Sequence, residues 1–445
     1  MKRAIVNSGQ ISGILVLYHH PLTADAATVM ENVQAFERHS RFKVWTVNTA
    51  LGFPESLRAM RFDTLVLHYS LFANWPYLFD DEFLNYVAKS NSSYKVAFFQ
   101  DEYHHCQARF SFLNANKVDC VYTLVEPEYF KDVYQKYTSV PKLINYIPGY
   151  VTDGLIEIGH EMFVPENKRV LDIGYRGRRL PFYTGRGAQE KSSIGIAFNE
   201  RARDSGLKLD IEIDEDQRIY GKKWYQFVAN CRAVLGVEAG VSIFDVEDVV
   251  RTEVDRLLTE QPNLSFEEVS AKLLYQWEDN IYYRTISPRH FEAGAFRVCQ
   301  ILFEGKYSGI MQPLVHFIPL KKDFSNFDDC LRMAQDKELR RELTENASRD
   351  LIASGKYNYR TFIKGFDEQL CAVGLKPEVN AEDRDRVSSR LDRDRIYLEL
   401  RARKNAFMYH RDFPGRRVLA MIGGPPLRML RRLKDSMTAR PKEGS

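Results

Sequence analysis

The feature that most constrains this chain is a rhythm of short apolar runs separated by longer amphipathic stretches, and it occurs twice. In the first 150 residues the runs are Gly13–Tyr18, Phe42–Val47, Asp63–His68, Tyr94–Phe99 and Val118–Thr123, rich in β-branched and aromatic residues. Runs that are apolar nearly throughout predict strands of a parallel sheet covered on both faces. The stretches Ala26–Arg38 and Asp81–Lys89 are long enough for crossover helices. This alternation predicts a doubly wound α/β domain.

A Pro-Gly break within Tyr146–Val151 closes the first series, and a second follows. Strands are expected at Arg169–Tyr175, Leu207–Ile213 and Arg232–Val237, with helices over 189–204 and Lys222–Asn230. The charged block from Asp245 to about Asp279 carries Val249, Val250, Val254, Leu257 and Leu258 at helical spacing, and its Ser265-Phe-Glu-Glu268 fits a capping box. It reads as a helical insertion over about 245–284. The series resumes at Phe291-Glu292, passes through Leu314–Leu320 and closes with helices near 327–353 and 358–373, the last placed to return to the first domain. The expected organisation is an N-terminal Rossmann-like domain over 1–152, a C-terminal one over 153–375 and a charged, basic tail over 376–445. Two such domains would face a cleft, and ligands of open parallel sheets bind beyond the carboxyl ends of the strands.

Composition removes several classes. A hydrophobic fraction of 44% and a charged fraction of 28% are ordinary globular values and exclude wholesale disorder. No run approaches the ~18 apolar residues of a membrane-spanning helix. Residues 1–10 have no continuous apolar core, so no signal peptide is expected. Cys106, Cys120, Cys231, Cys299, Cys330 and Cys371 lie far apart without a Cys-x-x-Cys pair, against a structural zinc site or a disulfide framework. A cytoplasmic protein is expected.

Charge is uneven. Lys+Arg 63 less Asp+Glu 60 gives +3, yet residues 401–445 hold 12 basic against 3 acidic residues, a net +9, which leaves −6 for the rest. Leu427, Leu430, Leu433 and Met437 form a helical stripe flanked by Arg428, Arg431, Arg432 and Lys434. Such a segment suits a peripheral helix on an anionic membrane face, a disordered tail being the alternative. No aromatic stacking array accompanies it, so nucleic acid is not an expected partner. Asp383-Arg-Asp385 and Asp392-Arg-Asp394 read as surface pairs on a solvated helix over 383–404.

The densest polar cluster is Gly174-Tyr-Arg-Gly-Arg-Arg179, followed by Gly185-Arg186 and by Lys191 at a helix start. A strand running into Gly/Arg turns and then a helix makes a diphosphate cradle, with Arg176, Gly177, Arg178 and Lys191 as its candidates. A solvated basic loop is the alternative. Glu292, in the first turns of a helix opened by Pro288, is a candidate at the cleft mouth or a partner of the helix dipole. The loops Tyr18-His-His-Pro21 and Gln100-Asp-Glu-Tyr-His-His105 follow strands; Asp101, Glu102 or His104 there could orient or deprotonate an acceptor hydroxyl, or merely cap. Asp214-Glu-Asp216 has an Asp-x-Asp spacing but lies in a charged run, so a solvated loop is expected and no metal site.

The succession of Arg169–Arg178, then Gly221, Trp224 and Phe227 in Gly-x-x-Trp-x-x-Phe, Phe291-Glu-Ala, His316–Asn326 and Asn346-Ala-Ser resembles a known family. It is similar to the nucleotide-sugar half of GT-B glycosyltransferases, nearest to the group-1-like enzymes of bacterial surface-polysaccharide clusters and their spore-coat relatives. The resemblance covers roughly residues 165–375. It implies that Glu292 is the second acid of a Glu-x7-Glu motif holding the donor ribose, and that Arg178 and Lys191, helped by Arg176, neutralise the donor diphosphate. His316 and Asn326 would lie in a late loop meeting the sugar or the base. Two positions depart: the first acid is Arg284 and an expected glycine is Arg297, with Glu238 in Gly236-Val-Glu-Ala-Gly240 a candidate substitute for the acid.

The resemblance implies a transferase moving a sugar from a nucleotide-sugar, a substrate and not a cofactor, to a glycan or lipid-linked acceptor. It implies retention, and the fixed cations would stabilise the leaving diphosphate without a metal. The reading places polysaccharide biosynthesis in the cytoplasm, with the basic tail on the inner face of the membrane. A nucleotide-sugar epimerase of the same fold and a catalytically degenerate GT-B scaffold are the alternatives.

Overall fold

The computed structural model describes residues 10–22 and 27–411, so the stripe at 427–437 lies outside the described residues. The first series comprises β1 (Ile11–Tyr18), α1 (Ala27–His39), β2 (Val44–Asn48), β3 (Phe62–Leu67), α2 (Asp81–Lys89), β4 (Tyr94–Phe98), α3 (Cys106–Ala115), β5 (Cys120–Thr123) and β6 (Lys142–Asn145). Its six strands are ordered β2-β1-β3-β4-β5-β6. The pairings of β1 with β2 and β3, and of β5 with β4 and β6, are parallel.

The second series comprises α4 (Asp153–Glu161), β7 (Leu171–Arg176), α5 (Arg186–Arg201), β8 (Leu209–Glu212), α6 (Gly221–Ala229) and β9 (Cys231–Gly236). After it come β10 (Ala239–Val241), α7 (Val250–Glu260), α8 (Phe266–Lys272), β11 (Tyr283–Thr285), α9 (Pro288–Ala295), β12 (Cys299–Phe303) and β13 (Ile318–Leu320). The helices α10 (Phe327–Gln335), α11 (Lys337–Ala347), α12 (Tyr359–Ala372) and α13 (Ala381–Arg411) close the described chain. The second sheet is ordered β13-β12-β9-β7-β8, all parallel, and β10 with β11 forms a separate antiparallel pair. Two doubly wound Rossmann-like sheets with an inserted helical segment match the α/β class expected from the sequence.

The described residues divide into two compact units. The smaller holds 10–22, 42–93 and 377–411. Here α2 begins where Asp80 accepts a hydrogen bond from the Phe83 amide at 2.7 Å, a side-chain N-cap. The helix α13 corrects the reading of 383–404 as solvated. Val387, Leu391 and Leu398 are buried, Trp45 donates its indole N–H to Ser388 at 3.1 Å, and the Asp394 carboxylate accepts from the amide and hydroxyl of Ser56. Asp394 is therefore a packing contact, while Asp392–Arg395 and Asp383–Arg386 are exposed pairs along the helix. In the same unit His19 donates its amide to Ser70 and His20 to Asn48, which ties the loop after β1 to its neighbours.

The larger unit holds 27–41 and 94–376. One face of its second sheet packs Ile173, Ile194, Phe198, Ile301 and Leu343; the other packs Phe291, Phe296, Leu302, Tyr307 and Phe317. The helix α12 packs on α1: Phe366 meets Phe36 edge-on at 5.1 Å, and the buried Asp367 accepts from the Ser40 hydroxyl and the Arg41 amide, each at 2.7 Å. The insertion has a core of its own from Ile243, Val250, Val254, Val269 and Leu274, and both halves of the Ser265/Glu268 capping box form. Its α-helices end at Lys272 and a short 3-10 turn follows at Leu274–Gln276; β11 occupies the end of the span expected to be helical, because Tyr283–Thr285 pairs with β10. The strands β6, β10, β11 and β12 have no counterpart among the sequence expectations, since runs of three to five residues carry too little periodicity to announce themselves.

Candidate functional site

The turn after β7 spends its residues unevenly. The Arg176 guanidinium folds back onto the sheet: it pairs with Asp210 at 2.8 Å, donates to the carbonyls of Tyr175 and Asp210, and lies 4.4 Å over the Phe227 ring. It is engaged in the fold and not extended toward a ligand. The Gly177 amide donates to the Glu212 carbonyl at 2.8 Å, so it too is unavailable to a phosphate. Glycine is required there because a Cβ would run into the Lys191 carbonyl and come within 2.8 Å of the Tyr175 ring.

The N-terminus of α5 is also occupied. Glu278 accepts from the Arg186 amide at 2.8 Å, Ser242 accepts from the Gly187 amide at 2.8 Å, and the Arg186 side chain pairs with Glu267 at 2.9 Å. A carboxylate of the insertion thus satisfies the helix end that the sequence offered to a phosphate.

Among the remaining cations, Arg178, Lys191 and Arg289 act on one another. Arg178 is exposed and makes no hydrogen bond or ion pair among the described residues. Lys191, farther along α5, is partly buried and donates to the Gly240 carbonyl at 3.3 Å. Burial first, and then the charges of Arg178 and Arg289, pull its ammonium down to about 8, against the opposing influence of Asp101 and Glu190. Arg289, which the sequence reading did not single out, stands in the first turn of α9, lies 4.8 Å over the Trp224 ring and donates to the Arg176 carbonyl. The signal was in Ser287-Pro-Arg: a capping serine and a proline at the first helical position put the next side chain at the helix mouth.

On the same helix, Glu292 accepts from the Trp224 indole N–H at 2.7 Å, and burial raises its carboxyl. Glu31 of α1 is raised by burial and by the Glu292 charge, so the two acids share one neighbourhood.

The loop after β4 separates two adjacent acids. Asp101 is exposed, with a left-handed backbone (φ 50°), and its charge acts on Lys191. Glu102 is fully buried and accepts from the Thr123 hydroxyl and the Leu124 amide at 2.8 Å each, from the Tyr134 hydroxyl, and from the Tyr283 hydroxyl at 3.4 Å. No acceptor hydroxyl can reach it, which corrects its candidacy as a base. Farther along, the Arg251 guanidinium donates to His105 Nε2 at 2.8 Å, and the ring is held down to about 4 chiefly by burial. His104 keeps a buried Nδ1 without a partner, and burial lowers it as well.

The remaining candidates are fold contacts. Glu238 is buried, accepts from the Tyr282 hydroxyl at 2.8 Å and the Tyr307 amide at 2.7 Å, and anchors the loop after β12; it does not present a substitute acid. His316 accepts from the Gln312 amide at Nδ1 and meets Asp350 at Nε2, so neither nitrogen is free for a donor. Asn326 accepts from the Lys321 amide and donates to the Pro319 carbonyl, clamping the loop after β13. Arg284 pairs with Asp279 at 2.7 Å and lies 3.9 Å from Glu190, which in turn meets Lys322 at 2.7 Å. Asp214 caps a single short turn, Glu215–Gln217, that contains Asp216, and among the described residues no group of three or more His, Cys, Asp or Glu is placed to hold a metal ion.

No family model and no curated protein matches the sequence. Among solved structures, TarM is similar in fold at 12% identity and a TM-score of 0.40, over 73% of this chain and 57% of its own. HepE from Anabaena, solved with UDP and glucose, is similar at 10% identity and a TM-score of 0.44, over 82% of this chain and 100% of its own. An alpha-glucosyltransferase solved with UDP and a mismatched DNA is similar at 12% identity and a TM-score of 0.44, over 82% of this chain and 99% of its own. The chain therefore spans little more than half of TarM, and the likeness is one of fold alone.

Proposed function

We propose that the protein is a glycosyltransferase that moves a hexose-type unit from a nucleotide-sugar to a glycan or lipid-linked acceptor, with retention and without a metal. The observation that carries this reading is the convergence of Arg178, Lys191 and Arg289. Burial is what chiefly lowers the Lys191 ammonium, and the charges of Arg178 and Arg289 push the same way, so an anion between the three cations offsets a cost that the fold carries. A pyrophosphate leaving group supplies such an anion. It gains charge as the anomeric C–O bond breaks, so fixed cations favour the transition state over the ground state. Glu292, oriented by Trp224, suits a pair of ribose hydroxyls, and the exposed Asp101 suits an acceptor hydroxyl. The basic residues beyond 411 suit a lipid-linked acceptor at the anionic inner face of a membrane.

Thermal-shift and calorimetric titrations with UDP-, GDP-, ADP- and dTDP-sugars test the reading. At least one nucleoside diphosphate should bind, and Arg178→Ala, Lys191→Ala and Arg289→Ala should each weaken it by about 1.5–3 kcal/mol while sparing the free nucleoside. If no nucleoside diphosphate binds, the reading fails. The locked ion pair of Arg284, at the position of the first acid, favours a scaffold as the second reading; it would bind the nucleotide and transfer nothing. Turnover of the donor alone, with no acceptor present, would instead indicate an epimerase.

A further inference from the structure

The helix α13 has two unlike faces. Val387, Leu391 and Leu398 are buried in the smaller unit, and Ser388 and Asp394 bond to Trp45 and Ser56 on the same side. The opposite face carries Ile396, Tyr397 and Leu400, which are 54%, 63% and 63% exposed. Successive residues of a helix advance by about 100°, so Arg393, Arg403 and Lys404 fall on that same outer face, all three exposed, with Asp385 and Asp392 toward one edge of it. Contiguous exposed apolar side chains rimmed by polar groups mark interaction surfaces. Here they are bordered by guanidinium and ammonium groups on long aliphatic stems.

We propose that this outer face of α13 docks on an anionic lipid surface, with Ile396, Tyr397 and Leu400 entering the boundary between headgroups and acyl chains. Arg393, Arg403 and Lys404 would then meet the lipid phosphates. Lipid is favoured over a second copy of the chain by charge. The face is basic, and residues 412–445 add 8 basic against 3 acidic residues, so two copies face to face would repel where an anionic leaflet attracts. Apolar side chains of this size, interleaved with Lys/Arg on a helix that lies flat, are the composition of an interfacial helix. Among the described residues no helix is long and apolar enough to cross a membrane. The inference stands apart from the transferase reading, because it concerns residues remote in sequence from the cationic cluster and needs no donor.

The test is co-sedimentation of the full chain with vesicles of phosphatidylcholine alone and of phosphatidylcholine with phosphatidylglycerol, without nucleotide. Binding should require the anionic lipid and weaken with salt. The double variant Ile396→Glu/Leu400→Glu should lower it at least about tenfold, with the melting temperature unchanged because both side chains are exposed. Quenching of a Tyr397→Trp variant by brominated lipid should place the ring within the leaflet, over the background of the four native tryptophans. Equal binding by the parent and the double variant would overturn the proposal, because residues 412–445 would then suffice. A stable dimer that the double variant dissociates, without vesicle binding by the parent, would also overturn it.

Discussion

The indole N–H of Trp224 donates to the Glu292 carboxylate at 2.7 Å, joining α6 to α9 at the point where Arg289 lies over the same ring. The bond opposes the upward push of burial on the Glu292 carboxyl. Removing it with Trp224→Phe should raise that carboxyl further. Ribose hydroxyls donate to the ionised form, so nucleotide affinity should rise with pH through the Glu292 titration, and the variant should shift this acid limb to higher pH. A calorimetric pH series on both proteins measures the shift; superimposable profiles would remove Glu292 from the binding site.

Lys191 makes a prediction in which stability and binding move in opposite directions. Its ammonium is lowered from 10.5 to about 8, so between those values the unfolded chain binds a proton that the folded chain does not, and stability rises with pH there. Below pH 8 the cost of the charge is present in full. Lys191→Met should therefore raise the melting temperature of the ligand-free protein at pH 7, and the difference should shrink toward pH 10.5. The same variant should lose nucleoside-diphosphate affinity. A fall in both stability and affinity would contradict the assignment.

Asp101 and Glu102 are neighbours with opposite expected phenotypes. Glu102→Ala leaves buried donors on Thr123, Leu124 and Tyr134 unpaired, and should cost about 1–3 kcal/mol per orphaned group, read as a lower melting temperature. Asp101→Asn should spare stability and lower kcat with an acceptor present. Steady-state kinetics and thermal denaturation on the pair separate the roles, and an unchanged kcat for Asp101→Asn would withdraw that residue.

Truncation should discriminate between the two parts of the tail. Ending the chain at 380 removes Val387, Leu391 and Leu398 from the core of the smaller unit and frees the Ser56 amide that Asp394 holds, so denaturation should occur at markedly lower temperature or denaturant. Ending it at 411 leaves every described contact in place and should not. Equal stability of the two truncations would mean that α13 contributes nothing to the unit.

Placing an acid eight residues before Glu292 by Arg284→Glu should fail to raise turnover. The new carboxylate would stand among Glu190, Asp279 and the buried Glu238, with Lys322 the cation paired to Glu190. Like charges there should lower the melting temperature, and a gain in activity would show that Arg284 had only displaced a functional acid.

How far the sequence could be read depended on the range of the physics at each position. Apolar runs flanked by amphipathic stretches marked β1 to β5 and β7 to β9, and α2 matched at both ends, because burial on two faces leaves a local mark along a strand or helix. The Ser265/Glu268 capping box was legible for the same reason, since its partners lie one helical turn apart. Short strands such as β11 left no such mark, because what makes them strands is a partner elsewhere.

At the candidate site the sequence by itself placed Arg178 and Lys191 after the first strand of the second series, and Glu292 near a helix start. Only the tertiary structure decided which of the neighbouring polar groups stayed available. Arg176 is lost to Asp210 because the parallel register sets β7 beside β8, and the end of α5 is lost to Glu278 because the insertion folds over it. Glu102 is sealed under Tyr134 and Tyr283, whereas Asp101, one residue earlier, is exposed. Arg289 joins Lys191 across a long stretch of chain. Residue type fixes what a side chain can do; which partner consumes that capacity depends on distances that only the packed chain sets.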